Sequence, residues 1–179
     1  MSVIERAYFS GGCFWCTEAI YKRLNGVLGV KPGFSGGNIK NPSYKEVCAG
    51  RTGHAETIEV IYDSVQIDFQ FLLEVFFKTH DPTTLNRQGN DIGTHYRSIV
   101  FYSNSNEQEL IVNYIKFLND EIYDNKIVTE IIEFDKFYEA ENYHENYYEL
   151  NKEQPYCDLV ITPKVEKFEK NFKNKLKSD

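Results

Sequence analysis

Apolar residues along this chain change spacing repeatedly, and the changes mark out its elements. Over residues 3–10, Ala7 and Phe9 stand apolar among polar neighbours, which predicts a short strand. Ile20, Leu24 and Val27 then recur at helical spacing, so a helix is expected to follow Cys13. Residues 27–30 read as a second strand that runs into a glycine-rich loop over 31–38. Asn41-Pro42-Ser43 predicts a turn into a short helical segment holding Tyr44, Val47 and Cys48. The clearest alternation lies over 53–63. There Glu56, Ile58, Val60 and Tyr62 share one face of a strand, and Thr57, Glu59 and Ile61 the other. Phe69, Leu72, Leu73, Phe76 and Phe77 mark an amphipathic helix with Asp68 as its N-cap, ended by His80-Asp81-Pro82. A polar loop without periodicity reaches His95, and a strand is expected over 96–102. Leu110, Ile111, Tyr114, Phe117 and Leu118 define a third helix. Residues 127–134 read as a strand and 137–148 as a loop entering a short helix. The stretch holding Cys157, Leu159 and Ile161 reads as extended or irregular, and 163–179 as a Lys-rich helix. These elements predict one domain over 1–179, mixed α and β around a single sheet.

Composition narrows the function. At 179 residues and 41% hydrophobic, the chain can bury a core of its own. A net charge of −7 argues against nonspecific nucleic-acid binding. Ten acidic residues crowd 119–149 against Lys126 and Lys136, and six Lys oppose three acids over 164–179; both read as solvated faces. No apolar run is long enough to span a bilayer, and no basic-then-apolar leader opens the chain, so a cytoplasmic protein is expected. Four cysteines in a reducing compartment are catalytic or metal-bound more often than structural.

The chemistry gathers around Gly11-Gly12-Cys13-Phe14-Trp15-Cys16. Cys13 is predicted at a strand-to-helix junction, where unpaired N–H groups and the helix dipole favour a thiolate and should lower its pKa. Cys16, three residues on, lies on the same helix face, so the sulfurs can meet. A structural zinc site is not expected: beyond this pair there is only Cys48 with His54, and distant Cys157, without ligand spacing. A thioredoxin-like disulfide exchanger fits the C-x-x-C spacing, whereas the bulky Phe14-Trp15 pair suits an apolar pocket. Glu56, on an apolar strand face, is expected to stay protonated and to donate a proton to a polar substrate. The alternative is that it lies at the strand's frayed start and reaches water.

Gly11-Gly12-Cys13-Phe14-Trp15 resembles the active-site signature of the A-type peptide methionine sulfoxide reductases. So do Gly53-His54-Ala55-Glu56, the run from Gln88 to Ser98, and Ala140-Glu141-Asn142-Tyr143-His144, in the family's order. The resemblance implies an α+β fold, a ferredoxin-like two-layer sandwich with additional segments. It implies reduction of methionine-(S)-sulfoxide, free or in oxidised proteins. Cys13 would be the nucleophile, Phe14 and Trp15 the walls around the substrate methyl, and Glu56 the acid on the sulfoxide oxygen. Tyr44 and Tyr96 would help hold that oxygen, Asp91 would assist positioning, and His144 would give structural support. The attack leaves a sulfenic acid that a second cysteine resolves before thioredoxin reduces the disulfide. No cofactor or metal is implied, DTT can replace thioredoxin in vitro, and a monomer is expected. Where glycine is usual this chain has Cys16, so both Cys16 and Cys157 are candidates to resolve; proximity favours Cys16. Cys48 reads as a buried bystander.

Overall fold

A computed structural model describes residues 1–178. The elements run β1 (Ile4–Ser10), α1 (Phe14–Tyr21), β2 (Val27–Ser35), α2 (Tyr44–Cys48), β3 (Ala55–Asp63) and α3 (Phe69–Thr79). After these come β4 (Arg87–Gln88), β5 (Asp91–Ile92), β6 (Ile99–Tyr102), α4 (Ser105–Leu118), β7 (Glu130–Glu133), β8 (Tyr138–Glu139), α5 (Tyr147–Leu150) and α6 (Thr162–Asn171). Six strands form one sheet in the order β7-β6-β1-β3-β2-β8, while β4 and β5 make a separate two-stranded hairpin. β1 pairs antiparallel with both β3 and β6, β2 antiparallel with β3 and β8, and β6 parallel with β7. The fold is therefore α+β around a mixed sheet.

Alternation along the central strands sorts side chains between the two faces. Ala7 and Phe9 of β1, with Ile58, Val60 and Tyr62 of β3, enter the main core with α1, α3 and α6. Tyr8, Ala55, Ile99 and Phe101 face the other way, where Phe134 stacks on Tyr8 at 3.8 Å between ring centroids. Glu56 shares the parity of Ile58 and Val60, so it points into the main core.

α1 is the helix this core encloses. Seven of its eight residues are buried, and only Trp15 is partly exposed. The Tyr21 hydroxyl donates to the Leu72 carbonyl at 2.8 Å, tying α1 to α3. The predicted α3 and its cap are as observed, with Asp68 accepting from Phe71 N–H at 2.8 Å. In α4 the apolar stripe buries only Ile111 and Leu118, and Leu110 and Phe117 are exposed.

Three expectations are corrected. The loop expected over 31–38 begins as strand: β2 continues through Pro32 and Gly33 to Ser35. Gly33 permits this, because a Cβ there would stand 2.3 Å from the Tyr138 carbonyl oxygen of β8. The stretch around Cys157 is helical, not extended, forming a wide turn over Cys157–Ile161 that leads into α6. The Lys-rich helix expected over 163–179 ends at Asn171, with a separate tight turn over Lys173–Lys175; Asp179 lies outside the described residues.

Candidate active site

Strand β1 stops at Ser10, and Gly11-Gly12 turn the chain into α1. Gly12 has φ +78°, a left-handed conformation that glycine adopts freely, and a Cβ there would lie 2.8 Å from Gln88. Its N–H donates to the Tyr96 carbonyl at 3.1 Å, which brings the turn Thr94–Tyr96 against the start of α1. Cys13 is the N-cap residue, with extended backbone. One residue on, the Phe14 N–H donates to Glu56 Oε1 at 3.2 Å. Cys13 and Glu56, far apart along the chain, therefore meet at one helix N-terminus.

The carboxyl of Glu56 is 1% exposed, so it does not reach water from a frayed strand end. Burial pushes its pKa up to about 8, against the pull of the Phe14 N–H and with a further push from Asp91. Oε2 has no hydrogen-bond partner and stands 3.9 Å from His95 Nε2. Burial holds His95 below its usual range, so its imidazole is neutral and does not claim this carboxyl as an ion pair.

Tyr44 and Tyr96 come from different directions. Tyr44 opens α2, whose entry is fixed by a reciprocal cap: Glu46 N–H donates to Ser43 Oγ at 3.2 Å and Ser43 N–H to Glu46 Oε2 at 3.1 Å. Burial, then the neighbouring Glu56, raises both phenols well above their ordinary value, so each remains an O–H donor. Phe14 is fully buried against Phe34, Tyr44 and His144. Trp15 stacks on Tyr147 at 3.7 Å between centroids, and its Nε1–H donates to His144 Nδ1 at 3.0 Å. Asp91 sits on β5 and accepts from the Tyr156 hydroxyl at 2.5 Å.

The Cys13 and Cys16 thiols lie close enough to influence each other's ionisation, as the three-residue spacing predicts. Cys13 departs from expectation in the other respect. Burial pushes its thiol well up, and donation to Cys16 adds to this. The Trp15 N–H acts the other way, as a helix N-terminus should, and is outweighed. Cys16 is pulled down, chiefly because it accepts from Cys13. Cys157 is buried and lies close enough to feel charge on Cys16. No cysteine is paired in a disulfide among the described residues.

The structure adds residues that sequence reasoning passed over. Tyr156 links Asp91, the edge of Trp15 and the neighbourhood of Cys16; its neighbour Cys157 drew attention instead. His95 stood inside a quoted motif without a role. Cys48, expected to be buried, is exposed, and its neighbours are Glu56 and His95 rather than His54. His54 spends both ring nitrogens elsewhere, on the Ile39 carbonyl at 2.7 Å and the Gly37 N–H at 3.0 Å.

A model of the family described as peptide methionine sulfoxide reductase matches residues 5–176. The chain belongs to that family. Peptide methionine sulfoxide reductase MsrA of Saccharolobus solfataricus is 52% identical over 174 residues, covering 97% of this chain and 98% of the relative. The reduced form of Mxr1 from Saccharomyces cerevisiae superposes with a TM-score of 0.80 at 35% identity, over 86% of this chain and 89% of that one. A structure of Mxr1 in complex with Trx2 also matches, with a TM-score of 0.57 at 25% identity over 80% and 84%. This reductase is accordingly an oxidoreductase that returns methionine sulfoxide to methionine, and the disulfide-exchanger reading is not favoured. No described helix is long and apolar enough to cross a membrane.

Proposed function

We propose that the chain is a single reductase domain acting on methionine-(S)-sulfoxide, free or in oxidised proteins, with Cys13 as nucleophile and Glu56 as acid. The observation that carries this is the free, buried Oε2 of Glu56 beside the N-terminus that presents Cys13. Cys13 attacks the sulfoxide sulfur while Glu56 gives a proton to the oxygen, and Tyr44 and Tyr96 donate hydrogen bonds to it. The oxygen leaves on Cys13 as a sulfenic acid, the Cys13 thiol proton replaces the one Glu56 gave, and methionine is released. Phe14 and Trp15 receive the S-methyl group, and Asp91, held by Tyr156, positions the substrate.

Cys16 resolves the sulfenic acid: its thiol condenses with Cys13–SOH, forming a disulfide and expelling water. The closeness of the two thiols supports this order, and Cys157, near enough to feel charge on Cys16, is next in line for exchange. Thioredoxin then reduces the disulfide, a reading supported by the yeast relative seen with Trx2. The reaction asks for no prosthetic group, and a cytoplasmic monomer suits it. The strand order β6-β1-β3-β2, all antiparallel, with α1 and α3 as crossovers, supports a ferredoxin-like core.

The test is DTT-driven turnover of the separated sulfoxide epimers. Only the S epimer should be reduced, and Cys13→Ser should abolish the step. Equal action on both epimers counts against the reading. Peptide mapping after one turnover without reductant should find Cys13 joined to Cys16; a direct Cys13–Cys157 bond would reassign the resolving role.

A further inference from the structure

Cys48 has no part in the reaction just described, yet it stands at the rim of the same site. It is the last residue of α2, exposed to solvent, and close enough to Tyr44 to be influenced by its hydroxyl. Its Sγ, a carboxylate oxygen of Glu56 and a ring nitrogen of His95 all lie within 4.8 Å of one another. Thiolate, imidazole and carboxylate together are a donor set for borderline-soft transition metals and a poor one for calcium or magnesium.

One member of the cluster has a free ligand atom: Glu56 Oε2 is buried without a hydrogen-bond partner among the described residues and faces His95 at 3.9 Å. A cation that displaced the Glu56 proton would satisfy this oxygen. Zinc bonds of about 2.0–2.3 Å to sulfur, nitrogen and oxygen put tetrahedral ligand atoms roughly 3.3–3.8 Å apart. Atoms that lie within 4.8 Å of one another reach that spacing by a closure of at most about 1.5 Å, to which the rotamer freedom of the exposed Cys48 side chain contributes. Exposure of Cys48 also supplies the entry path that the two buried ligands lack.

We propose that Cys48, Glu56 and His95 form a three-ligand site for a divalent ion of the zinc class, and that its occupation switches the reductase off. The second half rests on the assignment of Glu56 as the acid: a metal on Oε2 takes the place of the proton to be donated.

The competing zinc ligands are Cys13 and Cys16, so the binding test removes them. In a protein carrying Cys13→Ser and Cys16→Ser, cobalt(II) titration should produce a thiolate-to-metal charge-transfer band at one equivalent. Adding Cys48→Ser should erase it, and His95→Asn should weaken it. A band that persists without Cys48, or no band at all, overturns the site. For inhibition, pre-reduced wild-type enzyme is given methionine sulfoxide and zinc in a single turnover without added thiol. Each variant is normalised to its own metal-free rate. Cys48→Ser should raise the half-inhibiting zinc concentration by about tenfold or more, since even outer-shell changes cost metal sites that much. Equal zinc sensitivity in both proteins overturns the inhibitory role. If the wild type reduces no sulfoxide, the functional reading fails, and the cobalt titration still decides the metal site.

Discussion

Glu56 keeps one oxygen on the Phe14 amide and the other without a partner, so its chemistry depends on where its proton resides. With the pKa at about 8 the acid form prevails at neutral pH, and the donor is lost as pH rises through that value. The single-turnover rate should therefore be level up to neutrality and fall above about pH 8. The Cys13 thiol is held well above its ordinary value, so its ionisation does not produce that falling limb. Glu56→Gln keeps the shape and removes the transferable proton. It should slow the step by about 10²–10⁴-fold and abolish the inflection. Rapid-quench measurement across pH checks both. The burial of Glu56 was legible in the sequence because strand parity alone places it with Ile58 and Val60. The state of Cys13 was not: a helix N-terminus is visible locally, whereas the burial that outweighs it comes from elements remote in sequence.

At the scale of elements, the site depends on close approaches that sequence periodicity does not register. β2 can lie against β8 only because Gly33 has no side chain, and β8 leads into the segment carrying His144 and Tyr147 against Trp15. Gly33→Ala must displace backbone, so a loss of about 1–3 kcal/mol is expected. Denaturant melts check the stability, and Trp15 fluescence should shift as its stacking partners move. Helices with strong stripes, such as α3, were legible down to the cap. The turn at Cys157–Ile161 was not, because Leu159 is exposed and the apolar spacing there imitates a strand. Tyr156 was missed for a related reason: a tyrosine in an aromatic-rich chain carries no signal until Asp91 and Trp15 are seen beside it.

The whole molecule buries two carboxyls whose pKa is raised, Glu56 to about 8 and Glu18 to about 7, both chiefly by desolvation. In the unfolded chain each titrates near the ordinary value of 4.5. Between these limits the folded state binds more protons than the unfolded, so stability is highest in acid and declines as pH rises toward 7–8. Urea melts at about pH 5 and about pH 9 should differ by several kcal/mol from these groups, and Glu18→Gln with Glu56→Gln should flatten the difference. A reversed slope that the double variant leaves unchanged would contradict the burial of both groups. The class of fold was legible from alternating periodicities. The strand order was not, since β1 lies between β3 and β6, partners far along the chain.

Enclosure of α1 on every side but that of Trp15 has a consequence for how the molecule breathes. A helix so covered loses its amide protons to deuterium only when the domain opens as a whole, while an exposed hairpin such as β4–β5 exchanges through small local excursions. Exchange mass spectrometry should accordingly find residues 14–21 in the slowest class and 87–92 among the fast. Cys13, at the N-terminus of that helix, would then be mounted on the last part of the scaffold to loosen on warming, and Asp91 on the first.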